Sequence, residues 1–195
     1  MIKYEPLDYI ILDRDGVINY DNPNYVKSVA EWQSLSSSLH AIALLNKHNI
    51  NVIVTTNQSG IGRGIYTHDD LTNIHDKMHQ ELADVKAQVK KVYYCPHTDE
   101  DKCNCRKPKT GMIEKVIADY NLSVSRFKPM FVVGDSYRDL VNTKKIGCQP
   151  ILVRTGNGNK TIKNHSMFLR TERIPIYENL WCFVQDFLKS KFLKS

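Results

Sequence analysis

The sequence predicts a three-layer α/β fold in which one parallel sheet is covered on both faces by helices. Three observations predict it. Short apolar runs rich in β-branched residues recur along the chain, and the stretches between them place apolar residues at three- and four-residue steps. The strand-like runs are apolar at consecutive positions, as in strands covered on both faces. The 195 residues are 42% hydrophobic and 25% charged, which excludes a disordered chain and leads us to expect a single domain over 1–195.

The elements follow in order. Tyr9 to Leu12 (YIIL) is the first strand, and Leu39, Ile42 and Leu45 mark the first helical face. Asn51 to Thr55 (NVIVT) is the second strand. Leu71, Ile74, Met78, Leu82, Val85 and Val89 then trace one long amphipathic helix, opened by a capping-box-like Thr67 and Asp70. Lys91 to Tyr94 (KVYY) is the third strand, followed by a helix through Ile113, Val116, Ile117 and Tyr120. Met130 to Val133 is the fourth strand, a short helix through Leu140 and Val141 stops before Gly147, and Pro150 to Val153 is the fifth strand. Thr155 to Lys160 is expected to be a loop. Leu180, Phe183, Val184, Phe187 and Leu188 predict a C-terminal helix over about 178–193 that packs on the sheet. Alternation of this kind builds a Rossmann-like sheet, and its ligands collect at the carboxyl ends of the strands.

Formal charge is +6, unevenly spread. Residues 1–100 hold 9 Lys+Arg and 13 Asp+Glu, whereas residues 101–195 hold 18 and 8. A basic half suits a phosphate-bearing partner, whether nucleic acid, membrane surface or small phosphoester. The chain lacks the usual aromatic-basic stacking motifs of nucleic-acid binders, and no apolar run is long enough to span a bilayer. The opening MIKYEPLDYI lacks the order of a secretory signal, so the expected location is the cytoplasm.

Five cysteines, an odd number, argue against a complete disulfide framework. Three of them share one short segment with a histidine. Cys95 with His97, and Cys103 with Cys105, form two pairs with one-residue gaps. Facing each other, the pairs can close a tetrahedron of three thiolates and one imidazole around structural Zn²⁺. This loop, 95–105, runs directly into Arg106 and Lys107, so zinc is expected to fix the segment that presents Lys107.

The strand ends carry the remaining chemistry. Asp13 and Asp15 follow the first strand two residues apart, an extended spacing that predicts both carboxylates on one side. Thr55-Thr56-Asn57-Gln58-Ser59-Gly60 follows the second strand, and Gly134-Asp135-Ser136 follows the fourth. Asp13, Asp15 and Asp135 crowded together would repel, and a Mg²⁺ ion held by carboxylates, water and phosphate resolves that repulsion.

DRDGV, a later strand ending in Thr, a Lys further on and GDxxxD resemble the four-part signature of the haloacid-dehalogenase-like phosphohydrolases. The match runs from about Asp8 to Gly156. The resemblance implies that core fold with no large cap domain. It also implies that Asp13 is a nucleophile forming an aspartyl-phosphate and that Asp15 is the acid and base. Lys107 is then a positive charge beside the phosphoryl group, and Thr55 or Thr56 is its hydrogen-bond donor. Thr56, directly before the Asn-Gln-Ser-Gly run, is expected to be that donor.

CPH and CxCRKP after the third strand, TNQSGIGRG after the second and LVRTG near residue 153 narrow the resemblance to the heptose-bisphosphate phosphatases of that family. These release the 7-phosphate of heptose 1,7-bisphosphate on the route to nucleotide-activated heptose for lipopolysaccharide cores and other surface glycans. That likeness implies substrate contacts from Asp21, Tyr25, Thr56, Asn57, Gln58, Ser59, Arg106 and Lys107. Two departures stand out. The Asp21 to Tyr25 loop is one residue longer than in some members, and Ser136 stands where some have Lys. The expected partner is a small phosphorylated sugar, with no nucleic acid and no membrane, bound by a monomer. The rival readings are a histidinol-phosphate phosphatase, a DNA 3′-phosphatase and, in another class, a zinc-stabilised nucleic-acid-binding protein without catalysis.

Overall fold

The computed structural model describes residues 9–124 and 130–192. Six strands, β1 (Tyr9–Leu12), β2 (Asn51–Asn57), β3 (Lys91–Cys95), β4 (Phe131–Gly134), β5 (Gln149–Val153) and β6 (Ile176–Tyr177), form one sheet. All neighbours run parallel, in the order β3-β2-β1-β4-β5-β6. Its helices are α1 (Ser36–Lys47), α2 (His68–Asp84), α3 (Gly111–Asp119), α4 (Tyr137–Leu140), α5 (Gly158–Asn164), α6 (Ser166–Thr171) and α7 (Leu180–Phe192). The chain winds outward from β1 to β3, then returns beside β1 with β4 and winds the other way. Such a reversal opens a crevice at the carboxyl ends of β1, β2 and β4.

Alternation along each strand divides the core into layers. Ile10 and Leu12 of β1, with Val52 and Val54 of β2, pack against Leu39, Ile42 and Leu45 of α1, Ile74 and Met78 of α2, and Phe183 and Val184 of α7. The intervening Tyr9, Ile11 and Ile53 face the opposite way and pack with Met112, Ile113 and Val116 of α3. A third cluster joins Leu140 of α4, Leu152 of β5 and Leu169 of α6. Because helices cover both faces, all four residues of β1 are buried, which explains the consecutive apolar pattern. The Thr67 capping box forms as expected: Asp70 N donates to Thr67 Oγ1 at 3.1 Å, and Thr67 N donates to Asp70 Oδ2 at 2.8 Å.

Several expectations need correction. The long helix ends at Asp84 rather than reaching Val89. Lys86 takes φ 57°, and Ala87 N turns back to Leu82 O, so Val89 joins the same core from the approach to β3. The stretch read as a loop becomes helical from Gly158, a short polar helix with no apolar period to announce it. Strand β6 was not foreseen; its two residues pair with Leu152 and Val153. The expected end of the last helix, residue 193, lies outside the described residues. Among the described residues, no helix is long and apolar enough to cross a membrane.

Candidate functional site

Asp13 follows β1 directly, and its backbone N–H donates to Val133 O at 2.9 Å, which continues the ladder to β4. Lys107 arrives from the segment after the cysteine loop and lies buried at this strand end. Its Nζ sits 2.8 Å from Asp13 Oδ1 and 2.6 Å from Asp139 Oδ1, and donates to Thr55 O at 2.9 Å. Asp135 follows β4 and is fully buried. Its Oδ1 accepts from Ser136 Oγ at 2.7 Å, and its Oδ2 accepts from Asn157 N at 2.6 Å. Gly16 and Gly156, both at positive φ, close over the same carboxylate, and a Cβ on either would collide with Asp135 Oδ2.

Oxygens of Asp13, Asp135 and Asp139 lie within 4.8 Å of one another. Burial, then the charge of Asp139, pushes the Asp13 pKa up to about 7 against the pull of Lys107. Burial and Asp139 likewise raise Asp135 to about 6. Lys107 is raised too: burial opposes its charge, and Asp13 and Asp139 overcome that opposition. Three buried acids against one lysine leave an excess of negative charge. Hard oxygen donors with such a deficit fit a divalent cation of the magnesium kind.

The Asp15 carboxylate lies outside this cluster, and that of Asp139 lies in it beside those of Asp13 and Asp135. The reason is local. β1 ends at Leu12, so Asp13 to Asp15 no longer follow the two-residue alternation of a strand. Asp15 turns to its neighbour Arg14, whose Nη2 lies 2.9 Å from Oδ1 and 3.0 Å from Oδ2. Asn19 Nδ2 donates to Oδ1 at 2.8 Å and Gln58 Nε2 to Oδ2 at 2.9 Å. Burial alone would raise this acid, yet Arg14 and these hydrogen bonds hold its pKa below the usual value.

The expected substrate contacts divide into two groups. Gln58 is committed internally: besides Asp15, its Nε2 donates to Thr56 Oγ1 at 2.8 Å, and its Oε1 accepts from Tyr66 OH at 2.6 Å. Asn57 is also internal. Its Oδ1 accepts from Lys107 N and its Nδ2 donates to Lys107 O, both at 3.0 Å, so it clamps the backbone that carries the lysine. Arg106 is drawn to Asp99, with Nε 2.8 Å from Oδ1. The second group borders the crevice. Thr56 lies beside Asp15 through Gln58, and Ser59 is buried one residue further on. Asp21 accepts from Asn157 Nδ2 at 2.6 Å, which links its loop to Asp135, and the Tyr25 ring lies 6.3 Å from that of Tyr66.

Two residues went unassigned in the sequence. Asp139 is the last acid of the GDxxxD spacing, and its Oδ2 also accepts from Ser136 N at 3.0 Å, capping α4. Arg138, beside it, acts on the same site. The side chain is exposed, yet partial desolvation opposes its charge, and Asp139, Asp13, Asp135 and Asp21 hold its pKa above the ordinary arginine value. The GDxxxD motif spans both residues, but spacing does not say which face of a four-residue helix meets the acids.

The four zinc candidates converge as the spacing predicted. Cys95 Sγ lies 3.7 Å from Cys103 Sγ and 3.2 Å from Cys105 Sγ, and Cys105 lies 3.4 Å from Cys103. His97 presents Nδ1, 3.6 Å from Cys95 Sγ and 3.3 Å from Cys105 Sγ. A tetrahedron with zinc–sulfur bonds near 2.3 Å has edges of about 3.8 Å, close to these separations, so the donor set fits Zn²⁺ with all four positions filled by protein. The loop is tied to the acid cluster. Gly111 N donates to Asn104 O at 3.2 Å, Gln58 N donates to Cys95 O at 2.7 Å, and Asn57 holds Lys107.

The chain is similar to several known proteins. The family described as polynucleotide kinase 3 phosphatase matches residues 10–150. A D-glycero-beta-D-manno-heptose-1,7-bisphosphate 7-phosphatase of Neisseria meningitidis is 46% identical over 176 residues, 90% of this chain and 92% of that protein. The crystal structure of a D,D-heptose 1,7-bisphosphate phosphatase from Bordetella bronchiseptica, complexed with magnesium and phosphate, superposes with a TM-score of 0.88 at 40% identity. It covers 94% of this chain and 99% of that one. A haloacid-dehalogenase-like hydrolase of Streptococcus pneumoniae shares the fold at 12% identity with a TM-score of 0.60, covering 93% of this chain and 98% of its own. With the acid cluster, the buried lysine and the cysteine loop in place, the chain belongs to the heptose-1,7-bisphosphate 7-phosphatase family of haloacid-dehalogenase-like phosphatases.

Proposed function

We propose that this protein is a magnesium-dependent phosphatase that removes the 7-phosphate of D-glycero-β-D-manno-heptose 1,7-bisphosphate, working as a monomer of one domain. The observation that carries it is the pairing of Asp13 Oδ1 with Lys107 Nζ at 2.8 Å within a cluster of three acids. With Oδ1 so held, Oδ2 is the oxygen left to attack phosphorus. Lys107 and the Thr56 hydroxyl meet the charge on the transferred group, and the leaving sugar oxygen departs opposite Asp13. Mg²⁺, held by Asp13 and Asp135 with Asp139 behind them, would supply further neutralisation of the phosphoryl oxygens.

Asp15 performs both proton transfers. In the ligand-free arrangement Arg14, Asn19 and Gln58 favour its carboxylate form. A phosphate dianion arriving nearby pushes its pKa back up, so a proton enters with the substrate and is given to the leaving oxygen. The carboxylate then takes a proton from the water that cleaves the aspartyl-phosphate. The β anomer is preferred in this reading because the relatives of 46% identity are named for it. Phosphate release from the α and β bisphosphates, histidinol phosphate and 3′-phosphorylated DNA, with and without Mg²⁺, tests the proposal. Preference for either of the last two substrates refutes it.

A further inference from the structure

We propose that His75 is a positioning residue for this reaction: from α2 it fixes Arg14, and Arg14 in turn aims the Asp15 carboxylate. The inference rests on the acid and base role given to Asp15 above. Arg14 is 1% exposed, among the largest fully buried side chains of the protein. Its Nε donates to Asp15 Oδ1 at 3.2 Å, and its Nη2 bridges both Asp15 oxygens and Gln58 Oε1. That leaves Nη1, which lies 3.3 Å from His75 Nε2. A guanidinium has donors only, so Nε2 must accept, and His75 must be neutral with its proton on Nδ1. Burial, followed by the charges of Arg14 and His79, pushes the imidazole pKa down to about 3, which favours that accepting form.

His75 matters because Arg14 and Asp15 are sequence neighbours. A pair that shares one turn of backbone can swing as a unit, whereas a contact from α2 ties it to the helical layer. Trp32 supports the same arrangement, its ring 5.8 Å from the guanidinium carbon and its indole Nε1 donating to Glu81 of α2 at 2.9 Å. Three directions therefore define the guanidinium plane: Gln58 after β2, Trp32 before α1, and His75 on α2. Removing the acceptor at His75 frees one edge of the guanidinium and loosens the carboxylate it holds. Binding of the substrate phosphate, which depends on Asp13, Lys107 and the metal site, is left unaffected.

Leu and Gln at position 75 separate this role from packing. Leu removes the acceptor, whereas the side-chain oxygen of Gln reaches about the place of Nε2 and restores it. H75L is expected to lower kcat about tenfold with KM changed by less than about twofold, and H75Q to recover most of that loss. Kinetics are measured with heptose bisphosphate and with p-nitrophenyl phosphate. A wild type that cleaves only the second refutes the sugar assignment, and the variant-to-wild-type ratio on it still decides the role of His75. On the wild-type protein, imidazole ¹⁵N shifts are expected to show the Nδ1–H tautomer without any substrate, a result that holds even if H75L fails to fold. An Nε2–H tautomer, an unchanged kcat in H75L, or equal losses in H75L and H75Q would overturn the proposal.

Discussion

Replacing Lys107 by Met keeps the length of the side chain and removes its charge from between Asp13 and Asp139. Both partners are buried, so water does not replace the lost cation. Breaking a buried pair by deleting one partner costs about 3–5 kcal/mol of stability. The acids have one escape. The Asp13 pKa stands at about 7 with the lysine present, and without it the pKa rises further. Below pH 7 the wild type and the variant both protonate this carboxyl, and the difference between them is smallest. Above pH 7 the wild type releases the proton while the variant's native state keeps it, so the variant loses about 1.4 kcal/mol more per pH unit. Urea unfolding of metal-free protein at pH 6 and pH 8 reads both effects, and phosphate release should show kcat lowered by about 100- to 1,000-fold. A loss below about 1 kcal/mol, or one that is the same at the two pH values, refutes the account of Lys107 as the cation that keeps Asp13 ionised.

The other predictions concern the acids and the two metals. Asp13→Asn is expected to abolish turnover while leaving zinc bound, checked by phosphate release and metal analysis; residual phosphatase activity in pure protein excludes Asp13 as nucleophile. Asp13 and Asp135 have folded pKa values raised to about 7 and about 6, above the 3.8 of an unperturbed aspartate. Their contribution to stability is therefore fully present below the unfolded value and is lost as pH rises through 6 and 7. Metal-free protein should melt at a lower temperature at pH 8 than at pH 5, and added Mg²⁺ should raise the melting temperature more at pH 8, because at pH 5 it must displace protons. Cys103→Ser is expected to lose zinc and to lower melting temperature and turnover together, since the loop leads into Lys107. A zinc-free variant with normal stability and activity separates the loop from the lysine.

Much of the fold was legible because burial on both faces writes itself into β-strands as uninterrupted apolar runs. Tyr9–Leu12 appears with the same ends in sequence and structure. The illegible parts lack that signal. Strand β6 has two residues, and α5 is mostly polar, with the single apolar Ile162 packed on a core cluster; its Thr161 Oγ1 donates to Asp135 O at 2.8 Å. The zinc ligands were legible for a different reason, since thiolates and imidazole at short spacing have few other uses in one loop. Substrate contacts were harder. Positions that resemblance assigns to the substrate also make contacts that spacing does not announce: Asn57, Gln58 and Arg106 hydrogen-bond to Lys107, Asp15 and Asp99. Sequence spacing reports that a polar residue is near the site, and only geometry shows which partner takes its hydrogen bonds.

The uneven charge of the chain follows the same distinction. The acidic first half and the basic second half are separate in sequence, but the fold interleaves them at one strand edge. Asp13 from the first half meets Lys107 from the second, and Arg138 is coupled electrostatically to Asp139, Asp13, Asp135 and Asp21. Farther out, Arg154 pairs with Glu178 at 2.9 Å and Lys144 with Glu172 at 3.4 Å, exposed pairs of the kind worth about 1 kcal/mol or less. Part of the basic excess is thus used where buried acids require it, and part is spent on the surface. Charge counted along the chain called for a phosphate-bearing partner. The buried contacts of Lys107 narrow that requirement to a group small enough to reach the end of β1, where Asp13 waits beside Asp135 and Asp139.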